Sequence, residues 1–512
     1  MCEGNEGSKA AEKAVEGYEA VIGLEVHVEL ATRTKIFCGC STAFGGRPNA
    51  HTCPVCTGMP GALPVLNRKV LEYAVAVGLA ANCTITRFSR FDRKNYFYPD
   101  NPQSYQISQL YLPICRDGYI EIELERELPS GGESDSAEET FPAEKSWNSA
   151  QKRIRIHEIH MEEDAGKLTH DEQGGCTLVD YNRAGVPLIE IVTQPDMGSA
   201  REVVAFLEKL RLIIRYLGAG DCRLQEGSMR VDVNLSVRPR GAREMGTRTE
   251  MKNLGSFHGI EMAIESERNR QTAILESGGA VIQETRRWDE EKGISHPMRS
   301  KEEARDYRYF PEPDLVPVVI GEDYLERIRA AQPEMAWEKR QRFLEEYPIP
   351  EYDIRIITAS RRMSDIFEAA VVLGSPPKKV SNWLMGETLR LLKEKGQDSE
   401  EIRFSPENLA KLIALVENRV ISTTVAKEVF AVLFEEDMDP VEYVEKNELK
   451  TAGNQVILRR VAEEVIASNH KSAEDYRGGK DRALGYLVGQ VMKALKGKAD
   501  PVQVKEQLKE LL

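Results

Sequence analysis

Alternation of apolar and polar positions dominates the first part of the chain. In Ile22–Leu30 (IGLEVHVEL), Leu24, Val26, Val28 and Leu30 fall on one face of an extended strand, and Glu25, His27 and Glu29 on the other. Arg230–Arg238 repeats the pattern, with Val231, Val233, Leu235 and Val237 set against Arg230, Asp232, Asn234, Ser236 and Arg238. From about Tyr18 to Leu315 such short segments prevail, and two stretches, Ala200–Tyr216 and Ile260–Glu276, carry a helical period instead. After Asp306–Leu315 (DYRYFPEPDL) the period becomes helical. Ser405-Pro406-Glu407 supplies a cap, a first-turn proline and an acid at the positive end of a helix, and Leu409, Leu412, Ile413 and Val416 then form one apolar stripe. The last seventy or so residues are again helical, with Gly478-Gly479-Lys480 as a joint before the final helices.

This pattern predicts an α+β fold: a strand-rich domain over 18–325 with a cysteine-bearing insertion at 38–56, an all-α helical domain over 326–443, and a small all-α tail domain over 444–512. Residues 1–17 have no apolar run and read as a disordered leader rather than a signal segment. The acidic, Ser/Gly-rich stretch from about Arg126 to Asn148 reads as a solvated insert. No internal repeat is visible.

A chain of 512 residues favours two to four domains, and 41% hydrophobic with 30% charged residues is the mix of a soluble globular protein. No stretch approaches the roughly 20 apolar residues that cross a bilayer. The net charge of −14 argues against a uniformly basic surface, yet Val444–Leu512 holds thirteen Lys/Arg against ten Asp/Glu. The tail is therefore the better place to look for a phosphate backbone. Nine cysteines, an odd number without a secretory segment, fit a reducing, cytoplasmic setting.

Four of those cysteines cluster as Cys38-Gly-Cys40 and Cys53-Pro-Val-Cys56. Two close thiol pairs suit tetrahedral zinc, and with both pairs intact the site reads as closed and structural. Buried free thiols or a redox C-x-x-C would not account for the second pair. His160-Met-Glu-Glu-Asp164 ends a predicted strand with consecutive acids, the oxygen ligands magnesium prefers when phosphates complete its shell; a solvated acidic turn explains it about as well. Glu190 lies in the otherwise apolar run Gly185–Val192, where a carboxylate must be paired, coordinated or protonated unless its side of the strand is wet. Glu25, Arg230, Asp232 and Lys252 could meet a nucleotide, and plain amphipathic strands account for them equally. The chain has no P-loop, no dinucleotide fingerprint and no G-x-S-x-G elbow, so any ATP is held by a different fold.

The stretches IGLEVHVEL, HMEEDAGK, DYNRAGVPLIEIV, LQEGSMRVDVN, EMKNLGSF, ETRRWDE, DYRYFPEPDL, SNWLMGE and LGYLVGQVMKALKGKADP run in order from Ile22 to Pro501. In them the chain resembles the B subunit of the heterotrimeric tRNA-dependent amidotransferase, which makes Gln-tRNA and Asn-tRNA from misacylated precursors. The resemblance implies a cradle-shaped first domain that binds ATP and Mg2+ and phosphorylates the side-chain carboxylate of Glu-tRNA or Asp-tRNA. It implies a separate amidase (A) subunit that supplies ammonia and a small C subunit that ties the trimer together. His27, Glu163 and Glu190 match the family's magnesium-site positions and are the implied catalytic residues. The four cysteines match the zinc-bearing branch of the family; other members lack them. The tail is similar to the family's tRNA-contacting domain, and Lys480, Arg482, Lys493, Lys496 and Lys498 are the expected phosphate contacts, with Leu484, Leu487, Val488 and Val491 as the docking stripe behind them. The rival reading is a non-catalytic tRNA-binding scaffold. It expects His27, Glu163 and Glu190 to lie far apart.

Overall fold

The computed structural model describes residues 17–125, 149–171, 174–300, 306–450, 455–495, 499 and 501–512. The leader, the acidic insert, Lys496 and Lys498 lie outside them. The chain forms two compact units, one up to Pro333 and one over Glu334–Leu512.

The first unit is built on a nine-stranded sheet. Its strands run in the order Ile294–Ser300, Glu284–Asp289, Thr249–Lys252, Met229–Pro239, Tyr18–Glu29, Pro187–Thr193, Ser149–Glu163, Cys115–Glu125, Thr84–Ile85. All described pairings are antiparallel except that of Thr249–Lys252 with Glu284–Asp289. The Tyr18–Glu29 strand thus sits at the centre of the sheet. Its Leu24, Val26 and Val28 are buried together with Val231, Val233 and Leu235 of the next strand. Two helices run along the sheet, Ala200–Tyr216 against Cys115–Glu125 and Phe257–Glu276 against Met229–Pro239. Ser199 and Ser256 cap them, each hydroxyl accepting a first-turn amide, and the first helix buries Val203, Phe206, Leu207, Leu210 and Ile213 on one stripe. The other face of the sheet carries the polar alternates. A three-stranded sheet of Asp92–Asn95, Tyr105–Ser108 and Phe310–Pro311 packs against the Ser149–Glu163 strand through Tyr105–Ser108.

The second unit is all helical and has two apolar cores. One gathers residues from Phe343 to Val444, the other residues from Leu458 to Leu508. Ser405 caps the Pro406–Glu417 helix, which buries Leu409, Leu412 and Ile413. A π-helical turn, Leu384–Thr388, interrupts the helices of the SNWLMGE stretch. The expected boundary at 443/444 falls inside the Pro440–Lys446 helix, whose fully buried Val444 belongs to the first of these cores. No described helix is long and apolar enough to cross a membrane.

Candidate functional site

Cross-strand pairing lines up one row of polar residues through the middle of the sheet. His160 faces Glu190, Glu190 faces His27, and His27 faces Arg230. One row along, Glu25 faces Asp232. Residues two apart on a strand share a face, so Glu158 and Glu162 flank His160, and Glu29 flanks His27. The result is a patch of carboxylates and two imidazoles on a single sheet face.

His27, Glu190 and Glu162 come closest together. His27 Nε2 is 3.3 Å from Glu190 Oε2 and 3.7 Å from Glu162 Oε1. One ligand atom from each lies within 4.8 Å of the others, a spacing that suits a bound cation. Glu162 also accepts a hydrogen bond from Ser108 at 3.3 Å. Burial opposes a charged His27, but the hydrogen bond and charge of Glu190, with Glu162 behind, outweigh it and raise its pKa. His160 follows the same logic and is lifted to about 9. Burial would raise Glu190, yet the two imidazoles hold it well below the usual carboxylate range. Two nearly buried acids thus have as cationic neighbours mainly imidazoles, which are charged only when protonated. A divalent cation would satisfy the pair more fully.

Glu163 does not join this group, and the expected trio of His27, Glu163 and Glu190 needs correction. As the immediate neighbour of Glu162 on a strand, Glu163 points through the opposite face. There its carboxylate accepts Ile107 N at 2.9 Å and Gln103 Nε2 at 2.5 Å. Burial, only partly offset by those two hydrogen bonds, pushes it up to about 8. It lines a cavity of about 350 Å³ with Lys35, Cys38, Cys56, Gln103 and Arg93.

A second acidic trio, Glu25, Asp232 and Glu250, also brings one oxygen from each within 4.8 Å. The ammonium of Lys252 stands among them, paired with Asp232 and 2.8 Å from Glu250. Asn234 donates to Glu25 at 3.0 Å. Burial and the neighbouring charge of Glu190 raise Glu25, and burial beside Asp164 pushes Glu29 up to about 7. Arg230 is not free either; its Nη2 is 3.1 Å from Asp164 Oδ1. Tyr96, Tyr307 and Tyr309 pack edge to face near this patch, and Tyr309 feels the charges of Glu162 and Glu190.

The four cysteines converge. Cys56 Sγ lies 4.0 Å from Cys40 Sγ and 3.9 Å from Cys53 Sγ, and one sulfur from each of the four falls within 4.8 Å of the rest. A tetrahedron with zinc–sulfur bonds of about 2.3 Å has edges of about 3.8 Å, so the thiols are already near the spacing that zinc imposes. The thiol of Cys38 hydrogen-bonds Cys56 and holds it down to about 4, with Lys35 helping, which pushes Cys38 itself up. One ready thiolate among thiols is what a metal-binding knuckle offers.

In the tail, the Asp481–Ala494 helix buries Leu484, Leu487 and Val491, and leaves Arg482 and Lys493 exposed. Lys480 pairs with Asp475 at 2.8 Å.

Sequence reading missed Glu162 and His160 as site residues and missed the part of Glu250. Parity along each strand was visible for all three. What was not visible was which parity of Ser149–Glu163 lies over Glu190, and only the pairing of Glu190 with His160 decides that.

The chain matches the GatB/GatE catalytic domain over residues 20–326 and the GatB domain over residues 365–512. It is 61% identical over 498 residues to the B subunit of the aspartyl/glutamyl-tRNA(Asn/Gln) amidotransferase of Agathobacter rectalis, covering 97% of this chain and 100% of that protein. The proteins of the same name from Lachnospira eligens (60% over 501 residues, 97% and 99% covered) and Lachnoclostridium phytofermentans (57% over 495 residues, 97% and 99%) are similar along the same length. With its acidic sheet face, its cysteine cluster and both domain matches in register, the chain belongs to the B-subunit family of the tRNA-dependent amidotransferases.

Proposed function

We propose that the acidic sheet face activates the side-chain carboxylate of a glutamyl or aspartyl residue carried on tRNA. ATP transfers its γ-phosphoryl group to that carboxylate, and ammonia then displaces phosphate to leave the amide. A free carboxylate is a poor electrophile, whereas an acyl phosphate has a good leaving group. Phosphoryl transfer asks mainly for positioning and charge neutralisation. The observation that carries the reading is the meeting of His27, Glu162 and Glu190 on one face, with Glu25, Asp232 and Glu250 on the same sheet. A patch this acidic repels a triphosphate unless cations intervene, and its own basic groups, Arg230 and Lys252, are tied to Asp164, Asp232 and Glu250. His27, Glu162 and Glu190 are the residues that would hold Mg2+, which when bound neutralises phosphate charge. Lys252 and Arg230 can turn from their carboxylates to phosphate oxygens, while Glu25 and Asp232 complete the nucleotide side. The tyrosines beside the patch help exclude water from the acyl phosphate.

Cys38, Cys40, Cys53 and Cys56 would hold a structural Zn2+. Ammonia comes from glutamine hydrolysed on a separate amidase subunit, with a small third subunit completing the trimer, and the tail domain holds the tRNA. The names of the relatives support the amidotransferase setting. The scaffold alternative expects His27, Glu163 and Glu190 to lie far apart; Glu163 does stand outside the group, but His27 and Glu190 meet with Glu162 in its place, which favours chemistry. The test is Glu190→Gln and Glu162→Gln in the reconstituted complex. Both should abolish ADP formation that depends on misacylated tRNA and leave glutamine hydrolysis intact. Normal ADP formation by Glu190→Gln would sink the proposal.

A further inference from the structure

His160 stands beside the three groups assigned to the cation without being one of them. It is nearly buried, with 10% of its side chain exposed, and its Nε2 lies 2.9 Å from Glu190 Oε2 and 3.8 Å from Glu162 Oε2. The nitrogen that could bind a cation is therefore already turned to Glu190. Its Nδ1 is buried, makes no hydrogen bond among the described residues, and stands 3.8 Å from Glu158 Oε1. The backbone explains this placement. Glu190 is centred between two strands, with His27 directly across one ladder and His160 directly across the other. The two imidazoles reach the same carboxylate oxygen, Oε2, from opposite sides.

We propose that His160 is a positioning residue: its Nε2–H fixes the Glu190 carboxylate, and its closeness to Glu162 sets the separation of the two acids, so that His27 alone supplies nitrogen to the cation. The inference rests on the proposed cation site above. A carboxylate side chain at the end of two rotatable bonds samples several positions, and two like-charged carboxylates drift apart when nothing lies between them. A donor fixed by the sheet removes both freedoms before the cation arrives. Hydrogen-bonding partners behind metal ligands typically govern affinity by about 10–100-fold.

Two substitutions separate this role from simple packing. In His160→Gln the amide nitrogen can reach the place of Nε2 and still donate to Glu190. In His160→Asn the donor is too short to reach it, although the residue stays polar and small. Mn2+ binding to the full-length, zinc-loaded chain is measured by the electron paramagnetic resonance signal of free Mn2+, with Glu190→Gln in parallel to mark which binding event belongs to this site. We expect His160→Asn to weaken that event by about 10–100-fold and His160→Gln by no more than about threefold, with the thermal unfolding of the zinc-loaded proteins alike in the absence of Mn2+. Binding by His160→Asn as tight as in the parent, with Glu190→Gln weakened, overturns the positioning role and leaves the cation site standing. Equal weakening in both His160 variants overturns it as well, because the donor then makes no difference. Unchanged binding by Glu190→Gln overturns the cation site and this inference together.

Discussion

Replacing Glu163 by glutamine should stabilise the first unit at neutral pH, and by an amount that grows with pH. The residue is 6% exposed, and its carboxyl is held by Ile107 N and Gln103 Nε2. Burial moves its pKa from 4.5 to about 8. A pKa raised on folding means that the folded chain binds the proton more tightly than the unfolded chain does. The associated stability is complete below about pH 4.5 and is lost as the pH climbs through about 8. At about 1.4 kcal/mol per unit, the three units up to about pH 7.5 withdraw about 4 kcal/mol. Glutamine cannot ionise and escapes that loss. Ile107 N and Gln103 Nε2 both donate to the same oxygen, Oε1, so a glutamine carbonyl placed there accepts both, and the amide nitrogen that replaces the other oxygen is buried at a cost of about 1 kcal/mol. The variant should therefore be about 1 kcal/mol less stable than the parent near pH 4.5 and about 3 kcal/mol more stable near pH 7.5. Cys115, fully buried in this unit, provides the assay: its alkylation across a urea series, read by mass spectrometry at several pH values, reports unfolding of the unit. A stability difference that does not change between about pH 5 and 8 would refute the burial argument. A variant destabilised by about 3 kcal/mol or more at every pH would mean an ionised carboxylate paired in the fold, as a cation ligand would be.

Protein purified without chelators should carry about one equivalent of zinc, and Cys53→Ser should carry none and unfold at a lower temperature; zinc retained by the variant, measured by elemental analysis, would count against the four-thiol site. Deleting residues 455–512, which keeps Val444 in its core, should weaken tRNA binding and flatten its dependence on salt by about 0.7–0.9 in log–log slope for each phosphate that the tail no longer neutralises. An unchanged slope would place the RNA-binding surface elsewhere.

Much of the site was legible because sheet chemistry is periodic. The alternation in IGLEVHVEL and RVDVNLSVR gave the two faces of the central strands, and the lone Glu190 stood out in an apolar run. The choice between Glu162 and Glu163 was not legible, since a shift of one residue exchanges the faces and the deciding neighbour lies 27 or 28 residues further along the chain, in the strand that holds Glu190. Lys252 and Arg230 looked like free cations for the same reason. Their acidic partners come from neighbouring strands or turns, Asp232 and Asp164, at distances in sequence that no local pattern spans. The helices were easier, because caps and stripes are local: Ser405 marks a start that the structure shows, and the helix read over Ile260–Glu276 begins only one turn earlier, at Phe257 behind Ser256.

The central place of the Tyr18–Glu29 strand bears on how the chain is made. Its two neighbours, Pro187–Thr193 and Met229–Pro239, begin 158 and 200 positions after its last residue, Glu29. On a ribosome adding about 5–20 residues per second, the strand emerges about 10–40 s before its second neighbour exists. Until Pro187–Thr193 has been made, Leu24, Val26 and Val28 have no ladder and the strand is open on both edges, and one edge stays open until Pro239. The unit cannot grow outward from its first strand. It closes around it late, and a chaperone that binds short apolar β-segments would find a target in Ile22–Leu30 until Pro239 is clear.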